Sequence, residues 1–286
     1  LEFVVISLLN GLSFGTVLFL LTIGLSLTLG LMGIVNLTHG ALFMVGGYIG
    51  WTVAVQLGLN YWLAVLLGGI VAGLLGLCIE QGFLRNLYRL MNEQVMVTVG
   101  FVYVLSNLSL WVWGGIARSP FSAPALSGSL PIFGFQYPIH RITTIGIGVI
   151  LAIGLWWLQE KTRIGAIVRA GMDDKQTISG LGVNIGRITY LVFFFATLMV
   201  GIAGVIGAQM LGVNLAMGWD ILLLALIVLV VGGVGSIQGS LAGAIVIGLI
   251  DAFGRALFPQ LAMFLMFLVM IVILLVKPTG LLGKEV

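Results

Sequence analysis

Charge is what this sequence has least of. Asp, Glu, Lys and Arg make up 7% of its 286 residues, where ordinary soluble domains carry about 25%. So little charge cannot solvate the surface of a folded globule, which excludes a soluble enzyme. The formal net charge of +3 sits at the ends of apolar segments and forms no basic stripe, so no nucleic-acid partner is expected. Cysteine is nearly missing as well. With Cys78 alone, no intramolecular disulfide and no thiolate metal cluster can form. The two histidines, His39 and His140, are far apart and supply no H-E-x-x-H, which removes a membrane metalloprotease of that kind. Gly283-Lys284 is followed by Glu285 and lacks the upstream glycine, so no Walker A loop is present and this chain is expected to bind no nucleotide or metal of its own.

What is there is hydrocarbon. The chain is 60% hydrophobic with a mean hydropathy of +1.24, the composition of an all-α polytopic membrane protein. Cutting at charges and turn signals gives spans at 10–31, 40–55, 61–79, 95–113, 142–158, 188–208, 221–231, 240–253 and 258–276. These are about 8–9 crossings, since a span takes about 20 apolar residues. The second, seventh and eighth are short enough to be broken or re-entrant. Leu1 in place of Met marks numbering that starts inside a longer chain, and the first apolar run is read as a span, not as a cleaved signal. Residues 1–286 are read as a single transmembrane domain.

One long polar interval interrupts it. Residues 159–187 hold Lys161, Arg163, Arg169, Lys175 and Arg187 against Glu160, Asp173 and Asp174, and their excess of basic charge assigns them to the cytoplasm. Ile164, Ile167 and Val168 fall at helical spacing. Gly171 is then expected to end that helix, and Asp173 or Asp174 to cap a second over 176–181 that closes at Gly182. Walking outward from this block places nine Lys/Arg inside and three outside (Arg118, Arg141, Arg255), with the N-terminus external and the C-terminus cytoplasmic. The longest external loop, 114–140, holds four of the six prolines; it is either a solvated connector or a contact for an external partner.

Two stretches are polar where spans should be. Gly33-Ile34-Val35-Asn36-Leu37-Thr38-His39-Gly40 places an amide, a hydroxyl and an imidazole beside lipid. Either it is a broken helix next to a translocation path or its side chains hydrogen-bond helix to helix. Gly33, Val35, Gly40 and Leu42 recur 199 residues later as Gly232, Val234, Gly239 and Leu241, a weak internal repeat of the sort transporters carry. That second copy contains Ser236 and Gln238; its G-x-G-x-x-x-G spacing is not a dinucleotide loop. Asp251 and Arg255 stand at i, i+4 and should pair. Asp220 is expected at the external start of a span, where a negative charge suits the helix N-terminus. No acidic residue is read as lying mid-span, which weighs against a proton-coupled carrier working alone; that carrier and a purely structural subunit are the rival readings.

Four segments, in order, carry a resemblance: Gly30–Gly40, Gly165–Val183, Gly232–Gly239 and Lys277-Pro278-Thr279-Gly280-Leu281-Leu282-Gly283. Over nearly its whole length the chain resembles permease subunits of the branched-chain amino-acid ABC transporter family, the smaller of the two permeases in particular. The resemblance implies a bacterial inner-membrane importer with a second, related permease, two cytoplasmic ATPases that hold the ATP and Mg, and an external solute-binding protein. It implies coupling through Arg163, Gly165, Arg169, Asp173, Asp174, Lys175 and Gly182. Asn36, Thr38, His39, Gly40, Ser236, Gln238 and Gly239 are expected to border a translocation path because polar groups there stand beside glycine-broken spans. Many amino-acid-transporting relatives carry a carboxylate after the His-Gly pair, where this chain has Ala41. Relatives also move urea, amides or aromatic carboxylates, so the substrate stays open.

Overall fold

The computed structural model describes residues 2–88, 90–123, 126–132, 134–173 and 180–283. It is an all-α membrane bundle. The helices are α1 Glu2–Met32, α2 Thr38–Trp51, α3 Tyr61–Gly82, α4 Met91–Trp113, α5 Ile139–Lys161, α6 Arg163–Asp173, α7 Ile185–Leu211, α8 Met217–Gly232, α9 Ile237–Leu257 and α10 Ala262–Val276. Six of them (α1, α3, α4, α5, α7 and α9) are long and apolar enough to cross a membrane, while α8 and α10 are shorter apolar helices. A π-helical turn, Thr52–Gln56, prolongs α2.

All nine apolar segments read from the sequence are therefore helices. The lengths differ in one respect. The eighth segment is not short: α9 has 21 residues, because Ser236 caps it three residues before the expected start and Arg255, paired to Asp251, is carried inside it. The ninth, α10, is the short one, at 15 residues.

α1 forms the axis of the bundle, with Val17 to Leu21 and Ile23 fully buried, packed against α7 and α9. Its approach to α9 is backbone on backbone: a Cβ on Gly248 would lie 2.4 Å from the Gly11 carbonyl oxygen. α2 lies between α3, α4, α7 and α8.

At one end of the bundle, the described residues among 114–138 are structured rather than merely solvated. They contain an antiparallel hairpin of β1 Ser129–Ile132 and β2 Phe135–Pro138, in register from Ser129↔Pro138 to Ile132↔Phe135. Tyr137 donates its hydroxyl to Asn10 Oδ1 at 3.1 Å, fixing the hairpin to the start of α1; burial pushes that phenol up, with Arg141 pulling the other way. Arg118 lies over the Trp51 ring at 4.5 Å and exchanges backbone hydrogen bonds with Val213.

α8 starts in an unexpected place. Its third and second residues before the helix proper, Asn214 and Leu215, descend from the Arg118 bridge, and Asn214 Oδ1 accepts from the N–H groups of Ala216 and Met217 at 2.9 Å each. A Cβ on Gly40 would lie 2.1 Å from Gly218 O, so α8 begins level with the first turn of α2. That turn in turn sits beside Thr98 of α4, whose carbonyl accepts from Thr38 Oγ1 at 3.4 Å. The Trp219 ring is 6.2 Å from that of Tyr103. At 1.5 Å per residue, Thr98 and Tyr103 are about 10 and about 18 Å along an α4 of about 35 Å. Asp220 thus lies near the middle of the bundle, which corrects the expectation that it marks an outer span end and that no carboxylate lies at mid-depth.

Candidate functional site

The first polar break is closed by its own side chains. Gly33, at φ +66, turns the chain out of α1, and Asn36 Oδ1 accepts the Thr38 N–H at 3.0 Å to start α2. His39 Nδ1 stands 2.9 Å from Asn36 O; a carbonyl only accepts, so Nδ1 carries the proton. Asn36, Thr38 and His39 are at most 1% exposed. Asn36 Nδ2 and His39 Nε2 have no hydrogen-bond partner among the described residues, and a buried polar atom left so costs about 1–3 kcal/mol. Gly40 is the point at which α2 and α8 touch through backbone.

The second break has the same layout and different fastenings. α8 ends at Gly232, Gly233 and Gly235 follow at φ +97 and +77, and Ser236 Oγ accepts from Gly239 N at 2.9 Å. α9 begins at Ile237 and α2 at Thr38; the difference, 237 − 38, is the repeat offset of 199. Here, however, backbone from elsewhere completes the site. The Leu281 and Leu282 N–H groups donate to Val231 O and Gly232 O at 2.8 and 3.1 Å, satisfying two terminal carbonyls of α8 that no later turn can reach. Gly235 N donates to Ser26 Oγ of α1 at 3.0 Å. A Cβ on Gly233 would be 2.5 Å from Gly283 Cα, and one on Gly239 would be 2.3 Å from Gly232 O. Two of the four motif segments, 232–239 and 277–283, are thus one structural unit.

α6 meets this unit across a cleft of about 880 Å³ whose walls include Gln159, Glu160, Arg169, Ser236, Gln238 and Thr279. Thr162 Oγ1 accepts from Gly165 N at 3.1 Å, capping α6. Gly165 makes the elbow from α5 possible, since a Cβ there would fall 2.2 Å from Gln159 O. Gly165, Val168 and Gly171 are buried while Arg163, Ile164 and Ala166 are exposed, the pattern of a helix lying on its neighbours with one face free. Gly171 does not terminate this helix, because it is part of the buried face and α6 continues to Asp173. Arg169 donates to Gln159 O and pairs with Glu160 at 3.4 Å. Gly182 has φ +83, as a helix-closing glycine should; Asp174, Lys175 and the second helix expected over 176–181 lie outside the described residues, apart from Gly180 onward.

Of the residues named from sequence, the structure therefore gathers Arg169, Ser236 and Gln238 around one cleft and keeps Asn36, Thr38 and His39 apart from it, inside the bundle. Sequence reading missed Tyr103, Asn107 and Trp219, which stand on the outside of α4 and α8. The signal was available for Asn107, an amide in an apolar segment, but nothing in the sequence shows which way it faces.

Residues 7–274 match the model of the family described as branched-chain amino acid transport system / permease component. The chain belongs to this permease family. The permease is 28% identical to the high-affinity branched-chain amino acid transport system permease protein LivH of Salmonella typhimurium, over 96% of its own length and 94% of that protein. It is 27% identical to BraD, the corresponding protein of Pseudomonas aeruginosa, over 97% and 95%. The ribose import permease protein RbsC of Escherichia coli is 24% identical over 83% and 71%. Among solved structures, PsaBC from Streptococcus pneumoniae in complex with Fab superimposes with a TM-score of 0.52 at 14% identity, over 93% of the permease and 89% of that chain. A metal-chelate type ABC transporter in an inward-facing conformation gives 0.52 at 18%, over 93% and 84%. At those identities the structures share the permease's fold. It is a multi-pass transport subunit of a branched-chain amino acid permease type.

Proposed function

We propose that this permease forms half of the translocation path of an ATP-driven importer for branched-chain or related amino acids. It works with a second, related permease, two cytoplasmic ATPases that bind and hydrolyse ATP with Mg, and an external solute-binding protein, in a bacterial inner membrane. The observation that carries this is the end-to-end likeness to LivH and BraD together with α6, an amphipathic helix bearing Arg163 on its free face. The basic end of the bundle, with Arg85, Arg163, Arg169, Arg187 and Lys277, is the cytoplasmic one by the positive-inside rule. The N-terminus is then external and the C-terminus cytoplasmic.

In this reading α6 and the residues after it, with Arg163, Gly165, Arg169, Asp173, Asp174, Lys175 and Gly182, receive the movement of the ATPase. The two helix breaks (Asn36, Thr38, His39 and Gly40; Ser236, Gln238 and Gly239) border the path. Their support is the matched pair of helix starts and the partnerless Nδ2 of Asn36 and Nε2 of His39. The double substitution Asp173→Arg with Asp174→Arg should leave the protein in the membrane but uncouple uptake from ATP hydrolysis. Normal ATP-dependent uptake by that variant in proteoliposomes would overturn the coupling role. Labelling of Arg169→Cys from the external side would overturn the orientation.

Asp220 favours one other reading, because ion-coupled carriers place carboxylates at mid-depth. A carrier predicts that the purified chain alone reconstitutes uptake driven by an ion gradient; an importer subunit predicts that ATPases co-purify and that uptake requires them.

A further inference from the structure

One cluster on the bundle is out of keeping with its position. Tyr103 and Asn107 stand one turn apart on α4, and Trp219 and Asp220 open α8 beside them. Tyr103 is 59% and Trp219 38% exposed, and Asn107 and Asp220 are also on the outside of the chain. The depth worked out above puts Tyr103, Trp219 and Asp220 near the middle of the spans, with Asn107 one turn further along α4. Asn107 Nδ2 is occupied by Tyr103 O at 2.8 Å, which leaves its Oδ1 free to accept. Tyr103, Val104, Asn107 and Leu108 line a shallow, open groove of about 420 Å³ on that face. Asp220 forms no ion pair among the described residues, where the two found are Arg169–Glu160 and Arg255–Asp251.

Facing lipid, a carboxylate at this depth would cost a few kcal/mol. It is therefore turned either to water in a protein-lined route or to another subunit. The chemistry around it is specific. Two electron-rich ring faces, an amide oxygen and a carboxylate are the groups that together recognise an organic ammonium: the rings by cation–π attraction, the carboxylate and amide oxygen by charge-assisted hydrogen bonds. A carboxylic acid without an amine, or an uncharged amide, would leave Asp220 uncompensated.

Resting on the importer reading above, we infer that Tyr103, Asn107, Trp219 and Asp220 form a site for the ammonium group of a zwitterionic amino acid on its way through the membrane. The face that carries them is the one turned to the route, and presents an acidic, aromatic wall to the passing solute. This site uses none of the residues of the Asn36–His39 break, whose side chains are buried.

The test uses the whole complex, with the second permease, ATPases and binding protein, in proteoliposomes, and leucine as the probe. Asp220→Asn should lower ATP-driven leucine uptake at least tenfold while the ATPases co-purify in normal amount, and Asp220→Glu should recover part of it. Tyr103→Phe, which keeps a ring face, should transport like wild type, and Tyr103→Leu should fall several-fold. Unchanged uptake by both Asp220→Asn and Tyr103→Leu overturns the site. Loss of assembly in Asp220→Asn, with normal uptake by Tyr103→Leu, also overturns it, by showing Asp220 to be one half of an ion pair between subunits. A wild-type complex that hydrolyses ATP but takes up none of the natural amino acids removes the importer reading and this site with it.

Discussion

The break at 33–37 and the break at 233–236 begin their helices 199 residues apart, yet they are held in opposite ways. In the first, Asn36 Oδ1 holds the Thr38 N–H just ahead of α2, His39 bonds back to Asn36 O, and Thr38 reaches the neighbouring α4. The two bonds that start the helix lie within four residues of sequence, and the side chains of Asn36, Thr38 and His39 are buried. In the second, only Ser236 is local. The terminal carbonyls of α8 are satisfied by the chain's last described residues, and Gly235 is tied to α1. The second break also opens onto the cleft shared with Arg169 and Glu160. A self-contained joint can stay fixed while its surroundings move; a joint assembled from the tail, α1 and the α5–α6 elbow shifts when any of them shifts. The repeat therefore supplies one static post and one that can respond.

That contrast is open to four measurements of stability, best made on purified protein by thermal unfolding in detergent. The largest effect is expected at Gly40→Val, where the new side chain meets Gly218 backbone at 2.1 Å or closer and two helices must part. Overpacking of this kind costs about 3 kcal/mol. The equivalent Gly239→Val also meets backbone, at Gly232, but beside a loop that can give way, so about half that loss is expected. Equal losses at the two would show that both breaks are equally rigid. Next comes truncation after Val276, which strips the partners from Val231 O and Gly232 O. Two carbonyls returned to partial solvation should cost about 2 kcal/mol in all, with new protease cleavage confined to 233–236. Cleavage near 33–37 instead would break the comparison.

Smaller again are the caps. Asn36→Ala should lose about 1–2 kcal/mol and Ser236→Ala about 1 kcal/mol, the first larger because its site is fully buried. A larger loss at Ser236 would reverse the assignment of which break is self-sufficient. The smallest effect is expected at His39→Leu, which removes one hydrogen bond and one partnerless nitrogen at similar volume. Stability should change by less than about 1 kcal/mol, so a fall in flux at normal protein level would mark a role in transport. Unchanged flux would leave His39 as packing alone.

Much of this was legible from residue order. Runs of apolar residues bounded by charge located the nine apolar helices of the bundle, since backbone in lipid has few alternatives to helix. The i, i+4 spacing gave the Asp251–Arg255 pair, observed at 2.8 Å. The hairpin at 129–138 was not legible, because Pro131 and Pro138 in a Ser-rich stretch read as loop; β1 and β2 are an isolated pair in which Pro131 and Pro138 need donate nothing to a further strand. Gly171 was read as a stop because glycine often ends helices. In α6 it is instead a buried residue inside the helix, which runs on to Asp173.

The sequence by itself determined that this is a membrane bundle, where its nine apolar helices lie and where the chain breaks before α2 and α9. Those follow from transfer energies and local backbone rules that act residue by residue. Only the tertiary structure decided depth and facing: that Asp220 starts its helix in mid-bundle, that His39 is sealed while Gln238 looks into a cleft, and that the tail completes the end of α8. Depth depends on where helices of unequal length are pinned to one another, at contacts such as Gly40 with Gly218, and no periodicity along a single chain records that.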